Sequence, residues 1–429
     1  MRRLTVISTL ALLAVLPVLL SGTFGDRGLR GSGFATCVEC HTEVTPGVVV
    51  DWGASKHSSM GVECSVCHSG DHTSADDVGE VKIPTPETCG MCHAERVEQF
   101  KSGKHAMAWA AMNAMPTTHW MPMALTQGMK GCGGCHKIGL KTEEEMAALK
   151  EDGAGFGVAS CDACHTRHLF SAVEASQPQA CQTCHMGFDH PQWEMYSASK
   201  HGVRYLLKQN GTLPENVAAP TCQTCHMQDG DHEVRTAWGF LAVRLPMPDD
   251  DVWAADRATI LQALGVLDPD GNPTGRLEVV RAADVARLTQ EAWEAEREKM
   301  ISICGGCHSE NFARAELEKG DEMIREADHL LAEAIRTVVA LYEDGILEQP
   351  DYYSYPYPDL LTFHDAPTAI EQKLFVMHLE HRMRAFQGVF HANPDYALWY
   401  GYSELVRDLQ EIKEMAEELR RHQEHHGEQ

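Results

Sequence analysis

The cysteines of this 429-residue chain all belong to one short pattern, C-x-x-C-H, which occurs eight times. Each copy places two thiols three positions apart, and a histidine follows the second thiol directly. None of the 16 cysteines is left over. This spacing of two thiols and an imidazole predicts that each motif holds one metal-containing group. The thiols would bond to the group covalently, and the imidazole would bind its metal. The eight copies are Cys37, Cys40 and His41; Cys64, Cys67 and His68; Cys89, Cys92 and His93; Cys132, Cys135 and His136; Cys161, Cys164 and His165; Cys181, Cys184 and His185; Cys222, Cys225 and His226; and Cys304, Cys307 and His308.

This pattern is the attachment signature of c-type haem. The two thiols form thioether bonds to the vinyl groups of the porphyrin, and the adjacent histidine becomes an axial ligand of the iron. Zinc knuckles and disulfide frameworks also use paired cysteines, but neither needs a histidine after every pair. The sequence therefore predicts eight covalently attached haem c groups.

Histidines outside the motifs are candidates for the second axial position of each iron. The chain has 24 histidines, of which the motifs use eight. A second strong ligand is typical of a haem that only transfers electrons, whereas an open position allows substrate to bind. We predict seven distal ligands for eight irons, which leaves one iron open, although His329, His364, His378, His381 and His391 are further candidates. The predicted distal ligands are His57, His72, His105, His119, His168, His190 and His201.

His232 is then a surplus histidine, and Asp231 precedes it in "HMQDGDH". A carboxylate beside an imidazole tunes its pKa and orients the ring, which suits proton transfer at an open iron. We therefore predict that Asp231 and His232 are catalytic. The alternative is that His232 is an eighth distal ligand.

The spacing of the motifs predicts the fold class. Seven motifs lie between Cys37 and His226, and their starts are separated by only 20 to 43 residues, so the porphyrins must supply much of the apolar core. Apolar residues at steps of three and four follow later in the chain, as in a long helix. We expect a mainly α, haem-packed multihaem cytochrome c with short helices and loops, followed by a C-terminal bundle of long helices. The helical stripes are Ile324, Ala327, Leu331, Ala334, Val338 and Leu341, and Leu405, Leu409, Ile412, Met415 and Leu419.

The same spacing suggests where the domains begin and end. We predict a haem-dense domain over residues 35–235 with seven haems, a connecting region over 236–300, and a C-terminal helical domain over 301–429 that carries the eighth haem. The apolar stripes of the C-terminal helices need a partner surface, which is either the rest of the chain or another subunit.

The N-terminus and the net charge bear on location and partners. The chain opens with "MRR" and an apolar run to Leu20, the order of a secretory signal, so we predict a signal peptide over residues 1–25 and export to the periplasm. An uncleaved anchor helix is the alternative, although a run of 17 residues interrupted by Pro17 is marginal for a full membrane span. The net charge of -26 disfavours binding to nucleic acid and favours a basic redox partner cytochrome.

Taken together, these residues resemble the octahaem hydroxylamine oxidoreductase family. The resemblance covers nearly the whole mature chain: eight motifs with the last set apart, the "DGDH" segment after the seventh, and a C-terminal region containing "HRMRAFQGVFHANPDYALWYGYSEL". It implies a catalytic fourth haem, here on Cys132, Cys135 and His136, with Asp231 and His232 on its distal side. It also implies an oxidoreductase acting on hydroxylamine or a related small nitrogen compound, and a trimer. Relatives with a lysine in the catalytic motif are disfavoured, because all eight motifs end in histidine.

The direction of the reaction stays open in this resemblance. Oxidising members of the family link a C-terminal tyrosine covalently to the catalytic haem of a neighbouring subunit, whereas members without the link resemble reductases of nitrite or hydroxylamine. A non-catalytic electron conduit, with two histidines on all eight irons, is a further alternative. The candidate tyrosines are Tyr396, Tyr400 and Tyr402, and a second cluster of Tyr352, Tyr353, Tyr355 and Tyr357.

Overall fold

A computed structural model describes most of the chain after the predicted signal peptide. It covers residues 34–111, 133–151, 160–237, 247–282, 284, 286–353, 355–362 and 366–427. Cys132, His119, His364 and residues 1–25 lie outside these ranges. Within them the regular secondary structure consists of helices and no strand, so the predicted mainly α class is confirmed. No helix in these ranges combines the length and the apolar character that crossing a bilayer requires.

The motif-rich part of the chain folds into short helices joined by loops. Several motifs form one helical turn by themselves, which brings both thiols and the imidazole to the same side. The helices are α1 (Phe34–Val44), α2 (Pro46–Ala54), α3 (Lys56–Ser59), α4 (Cys64–His68), α5 (Pro86–Ser102), α6 (Ala108–Ala111), α7 (Gly133–His136), α8 (Glu143–Glu151), α9 (Ala172–Ala175), α10 (Gln179–Gln182), α11 (Gln192–Ala198), α12 (Lys200–Gln209) and α13 (Cys222–His226), with 3₁₀ turns at Ala75–Glu80, His105–Met107, Cys161–Ala163 and Gln228–Gly230.

The C-terminal part contains longer helices with side-chain caps at their first turns. Ser309 accepts a hydrogen bond from Phe312 N and so begins the 34-residue helix α17. Thr289 caps α16 in the same way, so this helix begins at Gln290. The helices are α14 (Asp251–Ala263), α15 (Gly275–Ala282), α16 (Gln290–Cys304), α17 (Glu310–Glu343), α18 (Ala369–Val376), α19 (Met383–Phe390), α20 (Pro394–Tyr396) and α21 (Ser403–Gly427), with π-helical turns at Met377–Arg382 and Ala397–Tyr402.

The hydrophobic core lies almost entirely among these C-terminal helices. All six apolar residues of the predicted α17 stripe are at most 1% exposed, and on α21 Leu405, Leu409 and Ile412 are buried. Met415 and Leu419 pack partly against the same core. Among the described residues from 34 to 237, by contrast, buried apolar side chains are few: Val97, Phe100, Ala106, Trp109, Leu149, Met195, Tyr196 and Tyr205. The motif-rich part therefore depends on something other than its own side chains to fill its interior.

The second π-helical turn approaches α19 very closely, and a glycine makes this possible. A Cβ atom on Gly401 would lie 2.3 Å from Ala385 N and 2.9 Å from Ala385 Cβ, so any side chain there would force the two segments apart. The close contact holds α19 in place, and α19 in turn carries Gln387 and leads into His391.

A buried ion cluster ties three of the C-terminal elements together. Asp328 on α17 is fully buried and accepts hydrogen bonds from Trp253 Nε1 at 2.9 Å, from Arg257 Nη1 at 3.1 Å and from Arg382 Nη2 at 2.7 Å. Burial alone would raise the pKa of Asp328, but the two guanidinium groups hold it below its ordinary value. The cluster joins α14, α17 and the first π-helical turn.

We predict that Asp328→Ala destabilises the C-terminal helices, because two buried guanidinium groups lose their counter-ion. The free energy of unfolding should fall by about 3–5 kcal/mol, as measured by denaturant titration with circular dichroism. Asp344→Ala is the control, since the Asp344 pair with Arg420 is exposed, and its effect should stay below about 1 kcal/mol. Equal effects of the two substitutions would contradict a structural role for the cluster.

Candidate haem sites and catalytic centre

One continuous cavity of about 2660 Å³ runs through the motif-rich part of the molecule. All eight motif histidines line it, as do the described motif cysteines other than Cys40 and Cys307. The motifs therefore open into a shared space, not into eight separate pockets.

Each motif histidine faces a second histidine across this cavity. An iron bound by two imidazoles holds their ring centres roughly 6 Å apart, because each Fe–N bond is about 2 Å long. The eight pairs have centroid separations of 6.0 to 6.4 Å and therefore fit iron between them: His41 with His72, His68 with His168, His93 with His57, His136 with His190, His165 with His232, His185 with His105, His226 with His391, and His308 with His201.

Six of the seven predicted distal ligands face a motif histidine in this way, and the seventh, His119, lies outside the described residues. Two further histidines join them, His232 and His391. His391 lies 83 residues after the last motif, so no local pattern in the sequence marked it out from the other C-terminal histidines. His329 and His381 do not line the cavity, and their Nδ1 atoms pair with carboxylates in the C-terminal part.

Hydrogen bonds at Nδ1 orient many of the paired rings. His136 donates to Ala108 O, His232 to Gly230 O and His391 to Gln387 O, each at 2.8 Å. Because a carbonyl only accepts, Nδ1 carries the hydrogen in these rings, and the lone pair of Nε2 is left for a metal. Burial also favours the neutral, metal-binding form: together with a neighbouring histidine it lowers the pKa of His185 to about 3 and that of His226 to about 4.

Asp231 and His232 do not form the pair that the sequence suggested. Asp231 Oδ1 accepts from Glu233 N at 2.9 Å, and the His232 ring bonds to Gly230 O instead. That ring lies nearly parallel to His165, at 15° and 6.2 Å. The structure therefore brings His232 to the fifth motif in the position of a distal ligand, which was the alternative that the sequence left open.

An Asp–His pair does face the fourth motif, and it is Asp189 with His190. Asp189 Oδ2 lies 3.0 Å from His190 Nδ1, and the His190 ring lies 6.4 Å from His136 and 6.0 Å from His185. Burial would raise the pKa of Asp189, but its hydrogen bond to His190 and the charge of that ring hold it below the ordinary value. The dipeptide was visible in the sequence, yet nothing local distinguished it from Asp231 and His232.

The charges on the cavity wall fit haem propionates. The chain carries a net charge of -26, yet nine basic side chains line the cavity against four acidic ones, Glu63, Asp162, Asp189 and Glu316. Two propionates on each porphyrin would supply the missing negative charge. The basic residues are Lys56, Lys82, Arg96, Lys104, Arg167, Lys200, Arg235, Arg297 and Lys319.

Contacts between thiols show which motifs are neighbours. The sulfur atoms of Cys89 in the third motif and Cys161 in the fifth are neighbours, as are those of Cys181 in the sixth and Cys222 in the seventh. The fourth motif joins this series at the side, because Cys135 lies beside Cys184 of the sixth.

Four more pairs of nearby cysteines complete the series. They are Cys37 and Cys64, Cys67 and Cys89, Cys164 and Cys181, and Cys225 and Cys304. The motifs therefore follow the order first, second, third, fifth, sixth, seventh and eighth, with the fourth beside the sixth. This arrangement suits a chain of electron carriers.

The multi-haem cytochrome family described as having seven CxxCH motifs matches the chain over residues 60–245 and 277–351. The chain belongs to this family. A probable nitrite reductase-hydroxylamine oxidoreductase fusion protein of Kuenenia stuttgartiensis is 27% identical over 90% of the chain. The match covers 51% of that relative, so the chain spans about half of its length.

Solved structures of multihaem proteins share the fold of this cytochrome. A reducing HAO-like protein complex of Kuenenia stuttgartiensis has a TM-score of 0.60 at 25% identity, with 90% of this chain and 85% of that chain covered. A hypothetical multiheme protein has a TM-score of 0.62 at 20% identity, with 92% and 96% covered. The chain is thus an HAO-like multihaem cytochrome, as its motifs predicted, and haem-based electron transfer or nitrogen oxidoreduction is supported at the level of the family.

We predict that His232→Ala converts one low-spin haem into a high-spin haem, because the fifth motif loses its facing imidazole. The measurement is the electron paramagnetic resonance spectrum of the purified, haem-loaded protein. His329→Ala is the control, since His329 lies outside the cavity, and it should leave the number of low-spin haems unchanged. An unchanged number in His232→Ala would show that this residue is not a ligand.

Proposed function

We propose that this protein is a periplasmic octahaem oxidoreductase that acts on hydroxylamine or nitrite at the haem of the fourth motif, on Cys132, Cys135 and His136. The observation that carries the proposal is the hydrogen-bonded pair of Asp189 and His190 on the far side of the cavity from His136. The other seven haems, each with two histidines, carry electrons.

The protein residues of this site have separate tasks. When bound, the haem supplies an iron that binds the substrate nitrogen and exchanges electrons with it. His136 fixes the proximal side, because its bond to Ala108 O prevents the ring from turning. On the distal side Asp189 orients the His190 ring through Nδ1, so that Nε2 is the atom that exchanges a proton with the substrate.

We propose that the reaction runs in the reductive direction. Two electrons and two protons convert hydroxylamine to ammonia and water, with a reduced partner cytochrome as the electron donor and His190 as a proton donor. Similarity to the reducing HAO-like complex of Kuenenia stuttgartiensis supports this direction.

The candidate tyrosines are compatible with this direction. None of the seven lines the haem cavity of its own chain among the residues that the structure describes. Among them, Tyr353 donates to the buried Glu371, and the Tyr396 ring packs at a tilt against Tyr400 with ring centroids 4.9 Å apart. A link to haem would therefore need a neighbouring subunit, as the resemblance implies for oxidising members of the family.

We further propose that the chain assembles with copies of itself, as a trimer by resemblance. The π-helical turn at Ala397–Tyr402 exposes Leu398, Trp399 and Tyr400, and Trp399 and Tyr400 are 63% and 57% exposed. Large apolar side chains grouped on a surface are typical of subunit contacts. The redox partner is a basic cytochrome, because the exterior is strongly acidic.

A conduit without catalysis is the second candidate function, and one observation favours it. The spacing between His136 and His190, 6.4 Å, equals that between His226 and His391. His190 would then be a distal ligand like the other seven histidines, and all eight irons would be closed.

Carbon monoxide binding separates the two functions. We predict that the reduced wild-type protein binds carbon monoxide at one haem, because the proposal makes His190 a proton donor and not a ligand of that iron. We also predict that His190→Ala reduces turnover of hydroxylamine by about 10²–10⁴-fold, the usual contribution of a general acid, while the number of low-spin haems stays constant.

Asp231→Asn is the matched control, because Asp231 also precedes a histidine in the sequence. Its carboxylate accepts from Glu233 N and does not hold the ring of His232 or His190, so this variant should retain activity. No carbon monoxide complex in the wild type, together with one low-spin haem lost in His190→Ala, would establish the conduit.

A further inference from the structure

The distal histidine of the first motif is held by a carboxylate that is unusually rich in donors. Asp77 Oδ1 accepts from His72 Nδ1 at 2.8 Å, from Ser74 N at 2.9 Å and from Thr73 N at 3.0 Å. Asp77 Oδ2 accepts from the Thr73 hydroxyl at 2.9 Å. These donors fix the carboxylate against the His72 ring, whose partner across the cavity is His41 at 6.1 Å.

Other paired histidines have weaker acceptors behind them. His68, His136, His232 and His391 donate to backbone carbonyls. His185 faces the side-chain amide of Gln192. Apart from His72, only one of the described facing histidines has a carboxylate at Nδ1. It is His190, which we assign to proton transfer.

An anionic acceptor strengthens a histidine as a ligand. The carboxylate draws the Nδ1 hydrogen towards itself and leaves more electron density on Nε2, so the ligand becomes more basic. A more basic axial ligand stabilises ferric over ferrous iron and lowers the reduction potential of the haem.

The charge and the solvent exposure around the first motif would also lower the reduction potential of its haem. Residues 34–82 contain eight Asp and Glu against two Lys, and Cys40 is exposed. Negative charge and solvent both favour the ferric state, whose iron carries one more positive charge. The motif also stands at one end of the series of neighbouring motifs, since α1, which carries Cys37, packs against α4 of the second motif.

We propose that the first motif holds the lowest-potential haem of the chain, that Asp77 sets this potential through His72, and that electrons from the partner enter there. The partner cytochrome loses one electron and the first haem gains it, and the electron then moves towards haems of higher potential. The direction of flow rests on the reductive function proposed above, whereas the potential itself does not.

The test is a spectroelectrochemical titration of the haem-loaded protein in three forms. In Asp77→Asn the lowest midpoint potential should rise, with the reduction equilibrium of that haem shifted about tenfold, or 59 mV. Asp76→Asn is the matched control, because it removes the same charge one residue away without a contact to His72, and it should shift the equilibrium far less. Asp77→Glu should restore the low potential.

The count of low-spin haems verifies that each variant keeps its ligands. If Asp77→Asn fails to bind haem, Thr45→Val replaces it, since the Thr45 hydroxyl lies 2.7 Å from Nδ1 of His41, the other ligand of the same haem, and the same midpoint should rise. Equal shifts in Asp76→Asn and Asp77→Asn, or no shift of the lowest midpoint, would overturn the proposal. Neither result depends on carbon monoxide binding or turnover, so a failure here is distinguishable from a failure of the proposed function.

Discussion

The fixed distance between two imidazoles that share one iron is the constraint on which this structure depends. Every motif histidine has a facing ring at 6.0 to 6.4 Å, and most facing rings come from a different segment of the chain. The loops and short helices of residues 34–237 are arranged to meet this requirement, and not to pack against one another. Their scarcity of buried apolar side chains follows, because the porphyrins occupy the interior.

Roles differ among the histidines because of what lies behind each ring. A carbonyl at Nδ1, as at His136, fixes the ring and its tautomer, whereas a carboxylate also changes its basicity. Asp189 and Asp77 provide the same chemical group behind two different histidines, and we propose that the first serves proton transfer and the second tunes a ligand. A third kind of acceptor links two sites, since Gln192 contacts both His185 and Gln387, and the Gln387 carbonyl holds His391.

The C-terminal helices are stabilised differently and still contribute to the haem sites. Their core is conventional apolar packing around α17, with the Asp328 cluster inside it. From this rigid body α19 extends to the cavity and delivers His391 to the seventh motif, with Gly401 allowing the close approach that fixes it. The bundle is therefore both a support and the source of the histidine that faces the seventh motif.

The sequence by itself determined the eight attachment motifs, the mainly α class and the apolar faces of α17 and α21, because each depends on residues a few positions apart. It also predicted six histidines that face a motif. Only the tertiary structure decided which histidines meet, placed His232 opposite His165 and His391 opposite His226, and brought Asp189 with His190 to His136. These choices depend on how distant segments converge. No local pattern distinguishes the dipeptide of Asp189 and His190 from that of Asp231 and His232 before the chain has folded.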